Sequence, residues 1–357
     1  MHELQTTPSH TESKRKLWGY LGLTILFFAL SYLTLVFMHT YFAGGKLKFP
    51  PSILTAKNLT ILGTLLVLYF LSDGLRLYCV IRALGSRISF FYILKLVFVN
   101  IFISNVTPMA TGGGFIQVYF MTCKGISLGH ATAATSLRTM LSALILFALA
   151  PIIIWIDPSQ FSMFSTHHLL YLITIVSVGY LAIFWIILFK IQLVKQWLFW
   201  LLLLLKKLRI LSQKKFRKAF VKLSTELRTF NKGFKTYFQK NTGWAVLSVG
   251  CTALFLLLLF SFSIVLVKAM GYHASPWTML AFQVVVTFFM YFAPTPGATG
   301  VAEGGYGLLF AQLVQKQDIA PLVLSWRFMT IYIGVIIGMI ITFAEFSRRN
   351  QRSANEE

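Results

Sequence analysis

Residues 107–112 read T-P-M-A-T-G, and residues 295–300 read T-P-G-A-T-G. The second copy differs from the first at one position and begins 188 positions later. Each carries a proline, which cannot donate a backbone hydrogen bond, and at least one glycine, which tolerates positive φ. Such a hexapeptide stops a helix. Both copies nevertheless sit inside apolar sequence, and how they are accommodated there decides the fold.

The surrounding chain has the composition of a membrane protein. Of 357 residues, 57% are hydrophobic and only 12% charged, and the mean hydropathy is +0.74. A soluble domain carries roughly twice that charged fraction. Several apolar runs reach the ~20 residues needed to cross a hydrocarbon core as a helix. They do not alternate as barrel strands would. The fold class is therefore all-α, a polytopic helical membrane protein.

Full spans are expected at about 17–38, 58–83, 129–156, 168–189, 244–268 and 319–346. Between them lie 88–125 and 277–316, each apolar, broken near its centre by the hexapeptide, then apolar again. These are read as two re-entrant hairpins, or as pairs of spans, which gives eight or more in all. Residues 191–205 read as an interfacial helix flanked by lysines. The domain plan is a cytoplasmic tail at 1–16, one transmembrane domain at 17–346 with a basic cytoplasmic segment at 190–242, and a cytoplasmic tail at 347–357.

The formal net charge of +22 would suggest nucleic acid in a soluble protein, but no separate soluble domain is visible here. Much of it lies in 206–240, which holds twelve Lys or Arg and one acid, Glu226. The positive-inside rule and anionic headgroups account for that block. The partners expected are membrane lipids, with anionic headgroups at 206–240 and no nucleic acid. Basic residues at 14–16, at Arg82 and Arg87, at 206–240 and in the C-terminal S-R-R-N-Q-R place these regions in the cytoplasm. Residues 157–167 and 269–276 have no Lys or Arg and are placed outside; Lys46, Lys48 and Lys57 run against the pattern. Localisation in the inner (plasma) membrane with both termini cytoplasmic follows. On this path the first hairpin enters from the cytoplasm and the second from outside.

The hexapeptides thus belong to an inverted repeat, 58–156 and 244–346. Pro108 matches Pro296 and Gly112 matches Gly300 at 188 positions, and Arg138 matches Arg327 at 189. Interrupted segments in matching places of two inverted halves point to a transport site near the midplane. Broken backbone at that depth must face protein or a polar cavity. A helix restarting there presents free N–H groups and the positive end of its dipole, which suits an anion such as phosphate.

The candidate headgroup-binding residues are Arg138, Arg327, Glu303, Gly112, Gly113, Gly114, Gln117, Tyr119, Pro108, Pro296, Gly297 and Gly300. Arg138 and Arg327 lie deep in apolar helices, where an ionisable residue is costly and needs a partner or a cavity. They grip a phosphate bidentately, pair with Asp73 or Glu303, or do both. Asp73 and Arg76, one turn apart, read as a structural ion pair. The glycine run at 112–114 would let a headgroup approach the backbone. Cys79, Cys123 and Cys251 show no metal or disulfide spacing, and no two histidines have i, i+4 spacing. No catalytic constellation, cofactor site or metal site is visible, so no enzyme activity is expected.

Two longer stretches carry a resemblance. N-V-T-P-M-A-T-G-G-G-F-I-Q-V-Y-F-M-T-C-K-G-I-S at 105–127 and A-P-T-P-G-A-T-G-V-A-E-G-G at 293–305 resemble the two signatures of the lysylphosphatidylglycerol synthase transmembrane region, a flippase-like family. In the second signature a Pro-Thr-Pro-Gly-Gly-x-Gly run precedes a glutamate, the place taken by Glu303. The resemblance covers about residues 15 to 346. It implies a multi-spanning lipid translocation domain, with aminoacylated phosphatidylglycerol among the candidate cargoes. In the family's bifunctional members the aminoacyl-transfer chemistry resides in a separate C-terminal soluble domain; with eleven residues after the last expected span, that domain and its chemistry are not expected here. Ala298 replaces a family glycine, and Phe115 stands where many relatives have an acid. The alternatives are a membrane-embedded lipid transferase, a small-solute transporter and a membrane partner of a separate synthase.

Overall fold

The computed structural model describes residues 49–161, 166–207, 232–239 and 241–355, with scattered helical positions within 22–40 and 213–225. The tail at 1–16, most of the expected span at 17–38 and most of the basic block at 206–240 lie outside the described residues. Among the described residues all regular structure is helical.

A short 3₁₀ turn at Pro51–Leu54 leads into α1, Ala56–Ala83. The first broken element follows as α2 (Phe90–Val106), a 3₁₀ turn at Pro108–Ala110, and α3 (Thr111–Thr122). Then come α4 (Leu128–Ile156), α5 (Thr166–Phe189) and α6 (Ile191–Lys207). After the basic block, α7 is Thr242–Ala269. The second broken element is α8 (Pro276–Met290), a 3₁₀ turn at Pro296–Ala298, and α9 (Val301–Phe310). A last rod comprises α10 (Lys316–Arg327), a π turn at Phe328–Tyr332, and α11 (Ile333–Asn355).

Among the described residues five helices are long and apolar enough to cross a bilayer: Ala56–Ala83, Leu128–Ile156, His168–Ile186, Thr242–Ala269 and Lys316–Glu345. At about 1.5 Å per residue the 28-residue α1 and α7 are each about 42 Å long, ample for a core of about 30 Å. The arms of the broken elements are shorter. They have 17 and 12 residues in the first and 15 and 10 in the second, all under the ~20 that a span requires.

Local chemistry explains where helices end. Gly85, Gly125 and Gly271 follow α1, α3 and α7 with φ of 77°, 83° and 89°. After each, the next N–H reaches back to a carbonyl five residues earlier: Ser86 to Ile81, Ile126 to Met121 and Tyr272 to Val267. This glycine cap occupies a conformation that costs side-chain-bearing residues ~1–2 kcal/mol. Ser127 starts α4 by accepting the His130 N–H at 3.4 Å.

The chain forms two compact units. The first takes Met1–Val67, Leu94–Ile116 and Phe260–Glu357; the second takes Leu68–Ile93 and Gln117–Leu259. The unit boundaries do not follow the sequence repeat, because the Pro108 turn groups with the second half of the chain. In the first unit α8 packs along α9, and α9 meets α10. In the second, α4 packs along α5, and α5 meets α6.

Candidate functional site

The two hexapeptides fold alike at their centres and touch. Met109 (φ 54°, ψ 23°) and Gly297 (φ 60°, ψ 18°) occupy the same left-handed conformation at matching positions. Ala110 and Ala298, the next residues, also have positive φ, at 53° and 56°. The turns Pro108–Ala110 and Pro296–Ala298 pack on one another within the first unit. Gly297 is in close quarters: a Cβ there would lie 2.6 Å from the Phe27 ring and 3.2 Å from Asn105 Oδ1. The copies then diverge. The first helix restarts at Thr111, whereas Thr299 stays extended (ψ 138°), Gly300 turns with φ 92°, and the second restarts at Val301.

That delay creates the first charged cluster. Glu303, fully buried, accepts the Gly300 N–H through Oε2 at 2.7 Å. Its Oε1 accepts Arg327 Nε, also at 2.7 Å. Arg327, 1% exposed, donates its Nη2 to the Gly297 carbonyl at 3.0 Å. One side chain therefore ties the last rod to the broken turn and to the carboxylate that caps α9. Arg327 Nη1 is buried without a hydrogen-bond partner, as is Trp326 Nε1. Tyr306 of α9 stacks on Trp326 at 4.4 Å and on Phe310 at 4.0 Å, holding the rod's end against α9. The π turn begins at the next residue, Phe328, where Ile333 N–H donates to the Phe328 carbonyl. Wide turns of this kind concentrate at functional sites.

The second cluster lies in the other unit. Arg138 Nη2 donates to both oxygens of Asp73 at 2.7 Å, and its Nε to Oδ1 at 3.2 Å. Its Nη1 donates to Gln117 Oε1 at 3.2 Å. Arg76 donates its Nε to Asp73 and its Nη1 to Ser142 Oγ, with the guanidinium 3.7 Å from the centre of the Phe255 ring. All four charged or amide groups are at most 7% exposed. Asp73 thus faces two guanidiniums, and the cluster retains one positive charge in excess.

The sequence-derived candidates separate on these facts. Arg138, Gln117, Asp73 and Arg76 converge in one cluster; Arg327, Glu303, Gly297 and Gly300 converge in the other. The ion-pair alternative for Arg138 and Arg327 is realised with the very acids considered for it. Pro108 and Pro296 open the two turns. Gly112 and Gly113 serve packing: a Cβ on Gly113 would sit 1.8 Å from Ser104 Oγ and 2.9 Å from the Asn100 carbonyl, and one on Gly112 2.7 Å from Thr107. They let α3 lie against the end of α2. Gly114 has open space around it. Tyr119 and Phe115 are exposed. Sequence reasoning missed Ser142 and the sharing of Asp73. A hydroxyl one turn after Arg138 was the available signal, because Ser142 is the i+4 residue.

Two comparisons with known proteins bear on the family. The chain is 26% identical over 276 residues to a UPF0104 membrane protein of Archaeoglobus fulgidus, covering 77% of this chain and 82% of that one. The pattern of the lysylphosphatidylglycerol synthase TM region matches residues 21–338, which includes both broken turns and both charged clusters. This integral membrane protein belongs to the lysylphosphatidylglycerol synthase TM region family.

Proposed function

We infer that the protein is a lipid flippase or scramblase-like transporter. It moves a phospholipid or lipid-linked substrate between leaflets, without catalysing a covalent step. The arrangement adopted for this reading is six full spans and two re-entrant hairpins in an inverted repeat, in the plasma membrane with both termini cytoplasmic. The observation that carries it is the contact of the two helix-breaking turns, with the buried Arg327 bonded to the Gly297 carbonyl of one of them. Irregular backbone at membrane depth is tolerated where it is buried in protein or lines a polar cavity, and two such turns in contact suit the second role as well as the first. Short arms of 10 to 17 residues suit hairpins that dip in and return. The cluster of Arg76, Arg138 and Asp73 adds a second buried cationic position suited to a phosphate.

The test is headgroup accessibility in vesicles. Purified protein reconstituted with tail-labelled lipids exposes inner-leaflet label to a membrane-impermeant quencher. Arg138→Ala and Arg327→Ala variants that still fold lose this activity. Failure to move any lipid of a broad panel, with chemical turnover of one of them, would make the protein a transferase instead.

A further inference from the structure

A carboxylate is the counter-charge that would neutralise a cationic headgroup, and every described carboxylate is already engaged. Asp73 accepts from Arg76 and Arg138. Glu303 accepts from Arg327 and Gly300. Asp157 accepts from Ser159 and Gln160, and Asp318 from Tyr272. Glu345 faces Lys95 at 3.7 Å. The basic groups are not matched in the same way. Arg327 Nη1 is a buried donor without an acceptor. In the other unit, two guanidiniums share one carboxylate.

Each deficit is costly in an apolar surround, the first as an unmade hydrogen bond to a charged group and the second as an unbalanced buried charge. An anionic oxygen relieves either of them. An ammonium group relieves neither, and beside the Asp73 cluster it adds repulsion.

Building on the transport reading, we propose that the cargo is a phosphate-bearing lipid of net negative charge, and that aminoacylated, net cationic phospholipid is rejected. Arg327 Nη1 is the free donor for a phosphate oxygen at its cluster. The excess charge of Arg76 and Arg138 is the attraction at theirs. Phe115, 78% exposed, adds no carboxylate to this balance.

The full chain is reconstituted in phosphatidylcholine vesicles carrying a trace of tail-labelled phosphatidylglycerol or tail-labelled lysylphosphatidylglycerol. The anionic lipid crosses faster by about tenfold or more, the ratio that ~1.4 kcal/mol of discrimination gives. Equal or faster movement of the lysylated lipid overturns the charge selection and leaves transport standing. Movement of neither lipid counts against transport of both cargoes, and a binding measurement then decides the selection independently. In that measurement the detergent-solubilised protein is melted with each lipid and with inorganic phosphate. A raised midpoint with phosphatidylglycerol alone upholds the proposal. An equal rise with the lysylated lipid refutes the selection, and an equal rise with inorganic phosphate makes the ligand a soluble anion and refutes a lipid cargo.

Discussion

Arg327 and Glu303 form a buried ion pair, Nε to Oε1 at 2.7 Å, in which neither side chain exceeds 1% exposure. Glu303 also caps the helix that follows the broken turn, so one carboxylate answers two buried donors. Removing it strands a guanidinium that has no solvent to turn to. Glu303→Ala is expected to destabilise the protein by about 3–5 kcal/mol. The Glu303→Ala/Arg327→Ala double variant recovers part of that loss, because no charge is left unpaired. Thermal unfolding of the four proteins in the same detergent, combined as a double-mutant cycle, measures the coupling. Strictly additive losses would contradict the pair.

Asp73 makes a parallel case with a different stoichiometry. Asp73→Asn leaves Arg76 and Arg138 facing each other without a negative charge, and should cost more than Arg76→Gln, which leaves the Arg138 pair intact. Arg138→Lys keeps the charge but loses the fork that reaches Asp73 and Gln117 together, and should abolish lipid movement while the protein remains folded. Melting curves and the vesicle assay read the two effects separately.

Two of the three consecutive glycines, Gly113 and Gly114, are expected to behave unlike one another. Gly113→Ala places a methyl 2.9 Å from the Asn100 carbonyl, a backbone atom that moves only with its helix. A loss of about 1–3 kcal/mol is expected from such overpacking. Gly114→Ala, with open space around it inside α3, should be neutral or stabilise by up to ~1 kcal/mol. Similar melting points for the two variants would argue against the close approach of α2 and α3.

Ala298 holds a left-handed conformation, φ 56°, at a site where alanine has to bear the strain. Ala298→Gly removes ~1–2 kcal/mol of that strain and restores backbone freedom worth ~0.5–1 kcal/mol to the unfolded chain. The net expectation is a gain of up to about 1.5 kcal/mol. Ala298→Val should lose stability. A destabilised glycine variant, measured by the same melt, would mean the turn is not left-handed at this position.

The sequence disclosed the helices, the two interruptions and the acids available to the arginines, because each rests on local chemistry: apolar run length, proline, glycine and charge in lipid. What it withheld depends on distance along the chain. Asp73 and Arg76 read as a pair at i, i+3, yet nothing local indicates that Arg138 arrives at the same carboxylate from another helix. The glycines at 112 and 113 invite a ligand on paper, and only the proximity of Ser104 and Asn100 assigns them to packing. The later restart of the second helix is set just outside the repeated hexapeptide. T-P-M-A-T-G and T-P-G-A-T-G differ at one residue, while Glu303, three positions beyond, selects Gly300 as the cap.

The wide turn at Phe328–Tyr332 sets how the last rod tolerates length changes. Its peptide ring spans one residue more than an ordinary helical turn. Deleting a single residue there closes the bulge into regular helix while Arg327 upstream and Gly338 downstream keep their facings. Gly338 needs that fidelity, since a Cβ on it would come within 2.1 Å of the Phe98 carbonyl. The same deletion a turn or two on either side would rotate one flank by about 100°. In this rod, then, indel tolerance is concentrated directly beside its most deeply buried charge.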